Sequence, residues 1–109
     1  MDGKISFDSF KEIDLRVAEV LEVKEHPDAD RLYVIQIRVG EEKKQIVAGI
    51  RGRYSREELI GKKVIVVNNL ETAVIRGEES NGMILAAGGT DGPIVLIPES
   101  DVEAGAKVK

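Results

Sequence analysis

Gln45-Ile-Val-Ala-Gly-Ile-Arg-Gly-Arg-Tyr-Ser-Arg-Glu-Glu-Leu-Ile-Gly-Lys-Lys-Val-Ile-Val-Val67 is the stretch that decides the predicted fold. It opens with the apolar run Gln45–Ile50 and closes with Lys62–Val67, both typical of buried strands. Between them, Ser55 and Glu58 have the spacing of a capping box, which predicts a short helix that ends at the next glycine. A strand, a short helix and a strand in this order are expected where a helix closes a small β-barrel.

The segments on either side predict more strands. In Leu15–Glu25 the alternation of apolar and charged residues slips between Val20 and Leu21, which predicts a bulged, curved strand. Leu32–Val39 alternates regularly and predicts a plain strand. The other predicted elements are an amphipathic helix at Ser6–Ile13, a turn at His26–Asp30, a hairpin connection at Gly40–Lys43, a fifth strand at Met83–Ala87, a turn at Gly88–Pro93, and two apolar segments at Ile94–Ile97 and Val102–Val108.

Short strands with one helix between the third and the fourth favour a mainly β, five-stranded OB-fold barrel. A short N-terminal helix and a C-terminal strand extension complete the prediction. We expect one domain over residues 1–109, with the barrel at about 14–87 and the extension at 88–109. Another small barrel with a similar strand count would give the same pattern.

Composition limits the classes of function. Cysteine is absent, which excludes disulfides, thiolate metal sites and cysteine nucleophiles. The only histidine, His26, is followed by Asp28 and Asp30; a metal site is one interpretation, but Asp residues beside a proline more often fold the turn. Ser80 has no recognisable histidine partner. We therefore expect a non-catalytic protein without metal or cofactor, located in the cytoplasm and not in a membrane.

Charge is unevenly distributed along the chain. The net charge is −4, yet residues 31–63 carry nine basic and four acidic side chains. Because distant charges are screened beyond about 8 Å at physiological salt, a local basic patch can still attract phosphate. Net charge therefore neither supports nor excludes nucleic-acid binding.

The loop from Arg51 to Arg56 combines charge with an aromatic ring. Arg51, Arg53 and Arg56 can pair with phosphates, and Tyr54 can stack on an unpaired base. Lys43 and Lys44 could extend this basic surface, or they could be charges that protect a strand edge. A solvated basic loop with Tyr54 partly packed is the alternative.

Polar groups are also concentrated between Asn69 and Met83. Arg76 supplies charge, and Asn69, Ser80 and Asn81 supply donors and acceptors suited to base edges or a ribose hydroxyl. A turn that leads Met83 into the barrel is the alternative. The candidate RNA-binding residues are thus Lys43, Lys44, Arg51, Arg53, Tyr54, Arg56, Asn69, Arg76, Ser80, Asn81 and Met83.

Several ordered motifs resemble one known family. They are Asp14-Leu-Arg-Val-Ala-Glu-Val20, His26-Pro-Asp-Ala-Asp-Arg-Leu-Tyr33, Ile46-Val-Ala-Gly-Ile50, Leu59–Val67, Asn69-Leu70 and Arg76-Gly-x-x-Ser-x-Gly-Met83. The chain resembles the tRNA-binding domain found at the C-terminus of many methionyl-tRNA synthetases, in cytokine-like synthetase cofactors and as free-standing proteins. The resemblance implies an OB fold, structure-specific tRNA binding and homodimerisation through the C-terminal extension.

The same resemblance suggests a role beside a synthetase. The length without catalytic sequence is similar to the beta subunits and free-standing members, so a partner of the methionyl-tRNA synthetase catalytic subunit is expected. Two alternatives are a homodimeric OB-fold chaperone or export-related protein that binds unfolded peptides, and a purely structural dimerisation subunit. One departure matters: the family usually carries a basic run where this chain has Glu71-Thr-Ala-Val74, which implies weaker tRNA binding.

Overall fold

A computed structural model describes residues 3–109 of the chain, and these residues form mainly β structure. The elements are α1 Phe7–Lys11, β1 Leu15–Glu25, β2 Tyr33–Val39, β3 Glu42–Ala48, α2 Arg56–Leu59, β4 Lys63–Val67, β5 Ala73–Ile75, β6 Glu78–Ser80, β7 Met83–Ile84, β8 Ala86–Gly89, β9 Gly92–Val95 and β10 Lys107–Val108. The main sheet has the order β3-β2-β1-β4-β7, and β10 pairs with β1. The predicted mainly β, OB-like fold is confirmed.

Strand β1 is long and curved, and it holds the sheet together. Its first half pairs with β4, and its second half pairs with β2. The register shifts between Val20 and Glu22, which confirms the predicted bulge at Leu21. A bulge bends a strand and increases its twist, so one strand can serve two neighbours that lie on different sides of a curled half-barrel.

The core fills the concave side of this sheet. Its largest fully buried side chains are Ile35, Ile37, Ile46, Leu59, Val20, Val64 and Val66. Leu59, fully buried, is the one residue of the short helix α2 that reaches this core. Burying a side chain of this size contributes about 1.5–3 kcal/mol, and this contact holds the one-turn helix against the sheet.

The predicted capping box at the start of α2 is confirmed. The hydroxyl of Ser55 accepts the backbone N–H of Glu58 at 3.2 Å, and the Glu58 carboxylate accepts the N–H of Ser55 at 2.7 Å. The backbone hydrogen bond from Ser55 lowers the pKa of Glu58, because it favours the charged carboxylate.

The predicted boundaries around the first hairpin were wrong. Strand β3 begins at Glu42 instead of Gln45, and Val39 pairs with Glu42, so the connection is only Gly40–Glu41. Gly40 has a φ of 63°, which a tight hairpin turn requires. Lys43 and Lys44 therefore lie within a strand and not in the connection.

The predicted fifth strand, Met83–Ala87, divides into two strands. Met83 and Ile84 pair with β4, whereas Ala86 begins the separate hairpin β8–β9. At Leu85 the backbone N–H still bonds Ile65, but its carbonyl oxygen accepts the N–H of Leu96. The predicted turn at Gly88–Pro93 was too long, because residues 88–89 and 92–93 belong to paired strands.

The segment between β4 and β7, where the sequence pattern predicted no strand, contains the small hairpin β5–β6. Arg76 and Gly77 form its turn with φ values of 53° and 93°. Two positive values favour this type of hairpin turn. The end of the hairpin then closes the edge of β3: Asn81 N–H bonds Gln45 O at 2.8 Å, and Val47 N–H bonds the Ser80 hydroxyl at 2.9 Å.

The two ends of the described chain meet on one side of the sheet. The predicted helix is present as α1 with Ser6 as its N-cap, but none of its residues is buried. β10 pairs with the start of β1, at Leu15 and Arg16. Phe7 is 71% exposed and Ile13 is 41% exposed, so the apolar face of this helix is open.

Candidate nucleic-acid interface

Two neighbouring clefts open beside the loops that the sequence singled out. The first, here called the turn cleft, has a volume of about 430 Å³ and is lined by Asp28, Ala29, Asp30, Arg31, Leu32 and Arg76. The second, the loop cleft, has a volume of about 400 Å³ and is lined by Arg31, Gly49, Gly52, Arg53, Asp91, Gly92 and Pro93. Arg31 borders both clefts, so they lie next to each other.

His26 fixes the turn that forms the first cleft. Its side chain is buried, its Nδ1 accepts the N–H of Asp28 at 3.0 Å, and its Nε2 lies 3.1 Å from the carbonyl oxygen of Ile75. This pattern assigns the hydrogen to Nε2 and leaves the ring neutral. Both ring nitrogens are therefore engaged in holding the turn against the hairpin β5–β6.

Two of the predicted phosphate-binding arginines also hold this turn. Arg76 Nη2 donates to the carbonyl oxygen of Asp28 at 2.7 Å. Arg51 donates to the carbonyl oxygen of Ala29 at 3.2 Å and pairs with Glu25 at 3.2 Å. A guanidinium has five N–H donors, so these contacts leave donors for a ligand. Their role in RNA binding stays a prediction.

Arg53 and Tyr54 form one stacked unit in the loop before α2. The guanidinium carbon of Arg53 lies over the Tyr54 ring, 4.9 Å from its centroid. The side-chain hydroxyl of Tyr54 accepts the N–H of Val95 at 3.1 Å. The backbone carbonyl oxygen of Tyr54 accepts the Tyr33 hydroxyl at 2.8 Å. The ring packs against the core. The structure thus places Arg53, and not the Tyr54 ring, along the cleft.

The remaining basic candidates differ in exposure. Arg56 and Lys43 are exposed, the first on α2 and the second on β3. Lys44 is half-buried, and its Nζ donates to both the backbone and the side-chain oxygen of Asn68, at 3.0 and 2.9 Å. Lys43 is therefore freer than Lys44 to meet a phosphate.

The polar candidates after β4 make contacts within the protein. Asn69 bridges the end of α1 and the start of β1, because it donates to Glu12 O at 2.7 Å and accepts Asp14 N–H at 2.8 Å. Ser80 is 3% exposed and donates to Gly82 O at 3.0 Å. Asn81 accepts the hydroxyl hydrogen of Thr72 at 2.5 Å.

Met83 lies on β7 and is 48% exposed, so it does not fill the barrel. Its exposed position is compatible with contact to a ligand. For Met83, as for Asn69, Ser80 and Asn81, RNA contact remains a prediction.

Asp14 lies at the centre of the polar junction that contains Asn69. Burial by itself would raise the pKa of Asp14, but hydrogen bonds from Asn68 at 3.2 Å and from Arg16 at 2.8 Å outweigh it. The pKa of this carboxyl group is therefore held below its ordinary value. The junction joins the end of α1 and the start of β1 to the residues that follow β4.

Sequence reasoning missed Arg31 as a site residue. It is exposed, and it borders both clefts. The only signal in the sequence was the place of Arg31 in the motif His26–Tyr33. That motif predicted a turn, but it did not predict which residues would lie next to Arg31 in space. The fold brings it beside Arg53 and Arg76, which are distant in sequence.

The charge of this surface is balanced and not strongly basic. Asp28, Asp30 and Asp91 oppose Arg31, Arg53 and Arg76 along the two clefts. Within residues 3–109 there is no group of three or more His, Cys, Asp or Glu side chains placed to hold a metal ion. Neither helix in the described part of the chain is long and apolar enough to cross a membrane.

Comparisons with known proteins agree on one family. Residues 15–107 match the family model described as "Putative tRNA binding domain". Methionine–tRNA ligase of Thermococcus kodakarensis is 45% identical over 105 residues, which is 96% of this chain and 14% of that protein. The chain thus spans about one seventh of the length of the curated relatives that it matches.

Two solved structures are similar over almost their whole length. A MetRS-related protein from Pyrococcus horikoshii superposes with a TM-score of 0.90 at 30% identity, covering 98% of this chain and 99% of that one. The CsaA chaperone protein from Picrophilus torridus gives a TM-score of 0.91 at 32% identity, covering 97% and 100%. The chain belongs to the tRNA-binding domain family, as its motifs predict.

Proposed function

From its membership in the tRNA-binding domain family, we propose that this chain is a non-catalytic, cytoplasmic module that binds tRNA by its shape. It serves as a beta subunit or trans-acting partner of methionyl-tRNA synthetase and raises the local concentration of tRNA there. The likeness to methionine–tRNA ligases over 96% of the chain supports this partner.

The observation that carries the proposal is the convergence of three arginines. Arg31, Arg53 and Arg76 come from three separate loops and border two adjacent clefts. Guanidinium groups pair with phosphates in a fixed, bidentate geometry. Three such groups at the rim of one surface suit a folded RNA backbone better than a sequence-specific readout, which needs contacts to base edges.

The same surface supports weak binding at each site. Three aspartates share the clefts, and Glu71-Thr-Ala-Val74 brings a negative charge where the family usually has positive ones. Each phosphate contact that is lost lowers the affinity and its dependence on salt.

A filter-binding titration with bulk tRNA at several salt concentrations tests this function. We expect binding at low salt, and we expect Arg53→Ala combined with Arg76→Ala to lower both the affinity and the salt slope, the latter by about one to two units. Lys4→Ala combined with Lys109→Ala removes the same charge at exposed residues that line neither cleft and is the matched control. The proposal would be refuted if the unaltered protein did not bind tRNA at low salt. It would also be refuted if the arginine double variant and the lysine double variant lowered the tRNA affinity equally.

We further propose that the chain is a homodimer, with the extension at residues 88–109 contributing to the interface. Exposed apolar side chains support this: Ile97 and Val102 in the extension are 54% and 38% exposed. Exposed apolar residues that lie close together often mark an interface. Two copies would present two tRNA surfaces, and avidity would offset a weak single site.

A mass measurement tests the dimer. Light scattering after size-exclusion chromatography should give twice the mass of 11.9 kDa. Ile97→Asp should reduce this value towards the monomer, and a monomer in the unaltered protein would refute the interface.

A second candidate function is a chaperone that binds unfolded peptides. It is favoured by the likeness to the CsaA chaperone protein and by an apolar groove of about 580 Å³ formed by Phe7, Phe10, Ile13 and Val108 with three lysines. Suppression of client aggregation without any tRNA binding would favour this function over the first.

A further inference from the structure

We infer that the loop cleft is a pocket for one unpaired nucleotide of the bound RNA, whose base stacks on the guanidinium of Arg53 while its N–H donors face Asp91. The inference rests on the proposed RNA binding and adds to it a defined subsite. It adds a stacking surface to the phosphate contact proposed for Arg53, and it brings the C-terminal hairpin β8–β9 into the interface.

The first support is that Arg53 is held in place before any ligand arrives. Its guanidinium lies over the Tyr54 ring. The hydroxyl of that ring accepts the N–H of Val95, and the backbone carbonyl oxygen of Tyr54 accepts the Tyr33 hydroxyl. A guanidinium already held over an aromatic ring loses less freedom when a base stacks on it than a free side chain would. Unpaired RNA bases are recognised by stacking on arginine planes as well as on aromatic rings.

The second support is that the glycines lining the cleft keep it open. A Cβ atom at Gly52 would meet no atom within 4 Å, and one at Gly49 would meet only the end of the Leu32 side chain at 3.7 Å. The φ of each lies outside the left-handed region. The fold therefore does not need glycine at these positions, whereas a flat base needs the space that a side chain would fill.

The third support is the distribution of charge between the clefts. Asp91 lines the loop cleft, where it disfavours a phosphate but can accept hydrogen bonds from base N–H groups. Arg31 lies on the border with the turn cleft, where Arg76 is also present. A nucleotide seated with its base near Asp91 thus has its phosphate within reach of Arg31.

Binding of a single-stranded RNA octamer, compared with the same octamer annealed to its complement, tests this subsite. We expect the single strand to bind more tightly than the duplex. Arg53→Lys keeps the positive charge but removes the planar guanidinium on which a base would stack. Gly52→Leu fills the loop cleft with a side chain. Each variant should weaken single-strand binding at least about fivefold without changing the salt slope. Asp91→Ala should also weaken it.

Arg38→Lys is the control for the charge-conserving change, because Arg38 lies on β2 and lines neither cleft. Circular dichroism checks that each variant is folded. Two results would overturn the subsite without affecting the proposed tRNA binding. One is a single-strand affinity within twofold of the unaltered protein for both Arg53→Lys and Gly52→Leu. The other is a gain in single-strand affinity for Asp91→Ala. Failure of the unaltered protein to bind tRNA or either octamer would overturn the proposed function as well.

Discussion

The Nε2 of His26 lies 3.1 Å from the carbonyl oxygen of Ile75 and donates its hydrogen to it. On the other side of the ring, Nδ1 accepts the N–H of Asp28 at 3.0 Å. Arg76 bonds the carbonyl oxygen of the same aspartate. The turn between β1 and β2 and the hairpin β5–β6 are thus joined at two points, and the turn cleft lies between them.

We expect His26→Ala to destabilise the protein by about 2–4 kcal/mol, because it leaves a cavity and unpartnered backbone groups. Urea denaturation measures this change. Asp30→Ala, at an exposed position in the same turn, is the control and should cost less than about 0.5 kcal/mol. Faster amide hydrogen exchange in residues 73–80 should accompany the His26 change; unchanged exchange there would contradict the proposed anchoring.

Ser80→Ala should lower the free energy of unfolding by about 1–3 kcal/mol. The buried hydroxyl accepts the N–H of Val47, and its loss leaves this donor without a partner at the closure of the barrel. The tRNA affinity of the folded fraction should stay within twofold if Ser80 acts only in the fold. A larger loss of affinity in a fully folded variant would instead support direct contact between Ser80 and RNA.

Acid should weaken the protein in part through Asp14. The pKa of this group is lowered in the folded state, so its contribution to stability is fully present above the ordinary value of 3.8 and is lost as the pH falls below it. We therefore expect Asp14→Asn to be destabilising at pH 7 and less so near pH 3, as measured by urea midpoints. Glu22→Gln, at an exposed position, is the control. An equal effect of Asp14→Asn at both pH values would contradict the lowered pKa.

The adjacent lysines of β3 should respond differently to removal. Lys43 is exposed, so Lys43→Ala should leave stability unchanged and lower the salt slope of tRNA binding by about 0.9 if it meets a phosphate. Lys44 is bonded to Asn68, so Lys44→Ala should lower the free energy of unfolding by about 1–2 kcal/mol. Titrations and urea curves on both variants separate the two effects, and the reverse pattern would show that the roles are exchanged.

Restoring positive charge after Asn69 should strengthen tRNA binding. Glu71 is exposed and Val74 is 68% exposed, so Glu71→Lys with Val74→Lys should be tolerated by the fold. We expect the affinity to rise and the salt slope to steepen by about 0.9 for each new phosphate contact. Lys substitution at exposed Glu99 is the control for net charge. An equal gain per added charge at both places would mean that the hairpin β5–β6 does not face tRNA.

The sequence by itself determined the fold class and most of the elements. Alternation in β1 and β2, the slip at Leu21 and the capping box at Ser55 are local patterns, and each reports directly on the backbone that it occupies. The family followed from ordered motifs over nearly the whole chain. The start of β3 was misplaced because its first residues are charged, and the end of the fifth predicted strand was misplaced because the run Met83–Ala87 does not show that the chain leaves one sheet for another at Leu85.

Only the tertiary structure decided which candidate residues are bonded within the protein and which are left exposed. Ser80, Asn69 and Lys44 look like binding groups in the sequence, yet each is bonded to a backbone group distant along the chain. Arg31 carries no distinguishing pattern, yet it borders both clefts. The reason is physical: a polar side chain satisfies its hydrogen bonds with whatever the fold brings near it, and long-range neighbours are not encoded in local spacing.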